Sequence, residues 1–190
     1  LNQPKTQADD WMWIVHHTMQ LGERKCLIIV AIRQSAWDPD NRVLSHEDVE
    51  LIELAPVTES NGKVVCRQLK AAVAKTGVPR AIVSDAGSDL HAGIEGFQQT
   101  YPGTAWLYDI KHKTACLLKH ALEQDASWRG FVEKAHRFKQ QVSLGPLAAL
   151  APPQQRSKAR WMNLDVLVDW ARESLLALDH PKAMRKAGLD

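Results

Sequence analysis

The sequence has no Cys-x-x-Cys pair and no Cys/His spacing suited to zinc. Its three cysteines, Cys26, Cys66 and Cys116, are odd in number and far apart, which argues against a disulfide framework. They read as reduced, mostly buried thiols of a cytoplasmic protein. No apolar run approaches the roughly 18–20 residues needed to span a bilayer, so no membrane partner is expected. The first residues, LNQPKTQADD, lack a signal-peptide pattern. They also lack an initiator Met, so an excised fragment, a processed chain or a partial gene product is expected. A Gly-rich phosphate loop is missing, which argues against a nucleotide or other small-molecule cofactor. Internal repeats and low-complexity segments are missing too.

What is present is the composition of an ordinary globular protein of 190 residues. That length suffices for one good core with a small helical annex. The net charge of +2 hides an asymmetry. Residues 1–110 carry 10 Lys and Arg against 14 Asp and Glu, whereas residues 111–160 carry 10 against 3. His112, His120 and His136 sit in the same block. Such a basic block points to a polyanion partner, with a solvated helix surface as the alternative.

Taken in order, residues 1–10 read as a polar arm. Trp11 to His17 (WMWIVHH) and Lys25 to Arg33 (KCLIIVAIR) are strand candidates around a Gly22-Glu23-Arg24 turn, a hairpin pattern. Gln34 to Asp48 reads as a loop. Val49 to Val57 alternates as a third, more exposed strand, and Pro56 near its end suits an edge. Ser60 or Asn61 is placed to cap a helix whose apolar residues are Val65, Leu69, Ala72 and Val73. Gly77 closes it. Ala81 to Ser84 is a fourth strand, Ser88 to Thr100 a helix, and Ala105 to Ile110 a fifth strand. From Lys111 strands give way to helices over 111–124, 126–143 (Ser127 as cap) and 164–178, with a Pro152-Pro153 break.

The order β-β-β-α-β-α-β is that of ribonuclease H-like domains: an α/β fold with a mixed sheet, here over residues 1–110, followed by a helical annex over 111–190. Carboxylates from the first strand, the fourth strand and a later helix hold two divalent metals in such domains. Two hard cations roughly 3.5–4 Å apart require several oxygen ligands. The run RAIVSDAGSDLHAGI ends a buried strand in Asp85 and hands over to a helix, at the sheet edge where ligands gather.

Four pieces resemble the catalytic core of DDE-type transposases of bacterial insertion sequences: WMWIVHHTMQLGERKCLIIVAIR, TGVPRAIVSDAGSDLHAGI, YDIKHKTACLLK and APPQQRSKARWMNLDVLVDW. They span most of residues 10–178. The resemblance implies a DNA-processing domain whose intact parent cleaves DNA and transfers strands with Mg²⁺ or Mn²⁺, works on nucleoid DNA in the bacterial cytoplasm, and assembles as a homo-oligomer. Asp85 stands at the family's fourth-strand ligand position. Where the first-strand Asp belongs, before His-Thr, this sequence has His16. An imidazole suits a transition metal better than Mg²⁺. The family's catalytic Glu lies on a helix returning after a helical insertion, and the chain is expected to stop within that insertion, as the start of an insertion subdomain. Glu173 on the last predicted helix reads as a solvated surface residue, with a third-ligand role as the alternative.

Asp89 reads as a first-turn carboxylate facing its helix N-terminus. Asp109 either shapes the active edge or caps the next helix. His17 falls on the sheet face opposite His16. Lys111, Lys113 and Lys119 are placed to touch phosphates, and His112 either contacts DNA or is a structural histidine. Arg156, Lys158 and Arg160, with Trp161, read as a DNA-contacting connection after the Pro-Pro break; an ordinary basic loop is the alternative. With one acid replaced and another lacking, the chain is expected to be catalytically incomplete. The competing reading is a non-catalytic DNA-binding or assembly module derived from a transposase. A small-molecule site at the Asp85 edge is more remote.

Overall fold

The computed structural model describes residues 4–21, 24–38, 40, 44–145, 148–154 and 160–179. The chain divides into two compact units, Leu1–Ile110 and Lys111–Asp190.

In the first unit, β1 (Trp11–Leu21), β2 (Arg24–Arg33), β3 (Glu50–Val57), β4 (Ala81–Ser84) and β5 (Ala105–Tyr108) form one sheet in the order β3-β2-β1-β4-β5. β1–β2 and β2–β3 pair antiparallel; β1–β4 and β4–β5 pair parallel. With α1 (Gly62–Thr76) between β3 and β4 and α2 (Ser88–Gln98) between β4 and β5, this is the ribonuclease H-like arrangement expected from the sequence.

Alternation along β1 decides which face is covered. Trp11, Trp13 and Val15 are buried on one face, while Met12 and Ile14 on the other are only half-buried. The buried face meets Val65, Leu69 and Ala72 of α1 and Leu90, Ile94 and Phe97 of α2 in one core cluster with Ile29, Ile52 and Ile82. Each fully buried large apolar side chain contributes roughly 1.5–3 kcal/mol. The two helices cross closely at Gly93, where a Cβ would lie 2.4 Å from Val65 Cγ1. Asn61 caps α1 by accepting from the Val64 N–H at 3.1 Å. Gly77 ends it at φ +86°, a conformation that favours glycine.

Two strand ends and one loop differ most from expectation. β1 runs to Leu21 rather than His17, because β2 pairs with it through Thr18↔Cys26 and again at Leu21↔Arg24. β5 stops at Tyr108 rather than Ile110; the Asp109 N–H then donates to Ser84 O at 2.8 Å, and Ile110 already starts a helix. Gln34–Ala36 forms a short 3-10 turn inside the expected loop. Pro56 sits on β3, which is an edge strand, where a missing N–H is tolerated.

The second unit contains α3 (Ile110–Leu122, its first residue belonging to the first unit), α4 (Ala126–Val142) and α5 (Leu164–Asp179), with 3-10 turns at Ala148–Leu150 and Arg160–Met162. Asp125, not Ser127, caps α4: its carboxylate accepts from the Trp128 N–H at 2.7 Å. The helix starts two residues earlier than a Ser127 cap requires. Among the described residues no helix is long and apolar enough to cross a membrane.

Candidate functional site

β1 and β4 run parallel with Val15 opposite Ser84. The next residues, His16 and Asp85, therefore emerge side by side, with His16 Nδ1 3.6 Å from Asp85 Oδ2. The imidazole is 64% exposed and the carboxylate 20%. The other carboxylate oxygen, Oδ1, accepts from the Gly87 N–H at 2.9 Å, a local turn that carries the chain from strand to helix. Behind it the Trp106 indole donates to Ser84 Oγ at 3.0 Å, and the Ser84 hydroxyl donates to Asp85 O at 2.9 Å. These bonds anchor the strand end from the β5 side.

On the opposite face, in register with Trp13 and Val15, His17 is largely buried. A polar ring on a buried face needs partners. Ser60 supplies one, its Oγ lying 3.2 Å from His17 Nε2, and Asp89 the other, its Oδ2 3.4 Å from His17 Nδ1. The Ser60 hydroxyl also donates to Asp89 Oδ2 at 2.8 Å. Because that proton is committed to the carboxylate, the arrangement is not that of an activated nucleophilic serine. It ties the end of β1 to the segment before α1 and to the first turn of α2. Ser60 is free to do so because Asn61 takes the cap. The single signal in the sequence was His17 itself, two residues beyond Val15 on the apolar side.

Burial lowers the His17 pKa from its ordinary value, outweighing the attraction of Asp89. Burial works to raise Asp89, but the Ser60 hydroxyl, the His17 ring and the Leu90 N–H together hold it below the usual carboxylate value. A histidine whose folded pKa is depressed adds stability that is fully present above its unfolded value, near 6.5. That stability is lost as pH falls through the lower folded value. The melting temperature of the first unit is therefore expected to fall on acidification below about 6.5. His17→Gln, measured by thermal melting across that range, should flatten the dependence; an unchanged profile would count against it.

Asp10 is no part of this site: it precedes β1 at the strand's far end, where hydrogen bonds from Ser35 and from the Arg33 guanidinium hold its carboxyl well below the usual range. The other expected site residues are distributed as follows. Glu173 is exposed on α5 in the second unit, a helix that also carries Asp165 and Asp169. Lys111, His112 and Lys113 occupy the first turn of α3; Lys119 in its last turn lies 3.9 Å from Glu123. Arg156 and Lys158 lie outside the described residues, and Arg160 opens the turn Arg160–Met162.

A divalent pair of the kind held by ribonuclease H-like enzymes does not fit these residues. His16 and Asp85 supply one nitrogen and one carboxylate whose oxygens face Gly87 and His16. Among the described residues no group of three His, Cys, Asp or Glu gathers as a metal site. Hard cations need more oxygen than that.

No family model and no curated protein matches this sequence. Solved structures similar to it include the simian T-cell lymphotropic virus intasome in complex with PP2A regulatory subunit B56 gamma, at 12% identity and a TM-score of 0.34, covering 76% of this chain and 46% of that one. This chain thus spans under half the length of that neighbour. The HTLV-2 integrase catalytic core domain in complex with magnesium is similar in its dimeric form (13% identity, TM-score 0.34, 66% of this chain and 78% of that one). Its trimeric form gives 13% identity and a TM-score of 0.33 over 84% and 86%. Superpositions this loose assign no activity; strand order and direction carry the fold.

Proposed function

We infer that this chain is a transposase-type DNA-processing domain that engages DNA but does not, by itself, perform two-metal strand cleavage. The observation that carries this reading is the His16–Asp85 pair: a carboxylate at the fourth-strand position, faced by an imidazole where a second carboxylate would be needed. The ribonuclease H-like sheet, the resemblance of the SDAGSDL and DIKHK stretches to bacterial DDE-type transposases, and the basic block over 111–160 support the DNA part. In the parent protein, Mg²⁺ or Mn²⁺ would drive cleavage and transfer of DNA strands in the bacterial cytoplasm, within a homo-oligomer. The lack of a third ligand among the described residues favours a second reading, a non-catalytic DNA-binding or assembly module of transposase descent.

Supercoiled plasmid incubated with Mg²⁺ or Mn²⁺ is expected to remain uncut, at the level of an Asp85→Ala control. Efficient nicking that disappears in Asp85→Ala would overturn the inactive reading. Binding of a duplex that weakens steeply with salt is expected alongside it, and its absence at low salt would remove DNA as the partner.

A further inference from the structure

The first unit carries more acids than bases, yet α1 (GKVVCRQLKAAVAKT) contains four cations and no acid. Lys75 is accounted for by Glu53 at 2.6 Å and Ile52 O at 3.2 Å. Lys63, Arg67 and Lys70 form no ion pair among the described residues and are exposed. They fall at i, i+4 and i+7, one helix face. That face borders an open groove of about 870 Å³ between α1 and α2, floored by Cys66 and Gly96 and lined also by Gln99. The floor is low because the helices touch there: a Cβ on Gly62 would lie 2.7 Å from Ala92 Cβ. None of the exposed large apolar residues lines the groove.

We propose that the α1–α2 groove is a second DNA-contacting surface, in which Lys63, Arg67 and Lys70 follow successive phosphates of a duplex backbone. At a rise of about 1.5 Å per residue the three positions span roughly 10 Å. Three base-pair steps of about 3.4 Å cover the same length, so the three cations would be shared among a run of about four neighbouring phosphates on one strand. The cations are strung along a trough and do not converge on one point, so an extended polyanion fits them and a single phosphate ion does not. A glycine floor lets a backbone approach, and the want of apolar side chains argues against a membrane surface. The identity of the polyanion as DNA rests on the function proposed above.

The test uses the full chain and a labelled duplex of mixed sequence, titrated between about 50 and 200 mM salt, where each phosphate contact contributes about 0.9 to the slope of log affinity on log salt. Lys63→Ala/Arg67→Ala/Lys70→Ala should make that slope shallower by about 2–3 while leaving the melting temperature unchanged. Lys111→Ala/Lys113→Ala/Lys119→Ala serves as the comparison and should leave the groove's share intact. In a Cys116→Ser background, duplex should slow alkylation of Cys66, a readout that needs no groove variant. An unchanged slope with normal wild-type binding overturns the groove and spares the DNA reading. No wild-type binding at low salt overturns both. A change in sedimentation without a change in slope makes the occupant a second copy of this chain and also overturns the proposal.

Discussion

Gly93→Ala is expected to destabilise the first unit by about 2–3 kcal/mol, although alanine is the better helix former by about 1 kcal/mol. The added Cβ would lie 2.4 Å from Val65 Cγ1, 2.5 Å from Val65 Cβ and 3.2 Å from Cys66 N. Val65 is wholly buried and β-branched, so it has no second rotamer to retreat into. Its backbone is held in α1, and α1 is held by Leu69 and Ala72 in the same core. The helices would have to part, and with them the layer that covers β1 and β4. Gly130, in the second turn of α4, meets nothing within 4 Å and isolates the propensity effect. Gly130→Ala should stabilise the second unit by roughly 0.5–1 kcal/mol. Denaturant midpoints of the two variants test the contrast; a neutral Gly93→Ala would show that the helices do not meet as closely as described.

Trp13→Ala should cost about 3–5 kcal/mol, the range for emptying a large aromatic site in a core. Trp13 is fully buried at the centre of β1, opposite Ala31 on one side and Ile82 on the other, with its ring centroid 6.0 Å from that of Phe97. Its indole N–H has no hydrogen-bond partner among the described residues. A buried unsatisfied donor costs about 1–3 kcal/mol. Trp13→Phe removes that donor while keeping most of the ring, so it should cost far less than Trp13→Ala. Equal losses in the two variants, measured by urea unfolding, would mean that the indole N–H is satisfied after all.

The order of elements was legible because the signals are local. KCLIIVAIR and AIVS are continuous apolar runs, the pattern of inner strands, and both lie inside the sheet order. Residues at positions 65, 69, 72 and 73 mark one helix stripe, and Gly77 and Pro79 mark where it ends. The hairpin followed by two helix-strand units then leaves few topologies that avoid crossing connections. The last residues of β1 were harder to read: Thr18, Met19, Gln20 and Leu21 alternate polar and apolar, but so short a run beside a glycine does not by itself separate strand from loop, and pairing with β2 is what extends it. The cap at Asp125 was misjudged by two residues for a similar reason, since two polar side chains compete near one helix start. At the site, the side-by-side placement of His16 and Asp85 follows from parallel pairing of β1 with β4. The Ser60–His17–Asp89 bonds do not, because they join residues 29 and 43 positions apart that only tertiary packing brings together.

The turn at Asp85 bears on how such a domain could change over generations. One carboxylate oxygen holds the Gly87 N–H, where a Cβ would approach Asp85 Oδ1 to 3.0 Å, so the turn from strand to helix depends on a short side-chain acceptor in that position, aspartate or asparagine. Folding alone would then disfavour its replacement. His16, whose ring is mostly in solvent at the end of its strand, has no comparable tie to the backbone. The two positions should therefore tolerate substitution to different degrees. An aspartate at this strand end reports the turn it builds more directly than it reports any chemistry at the site.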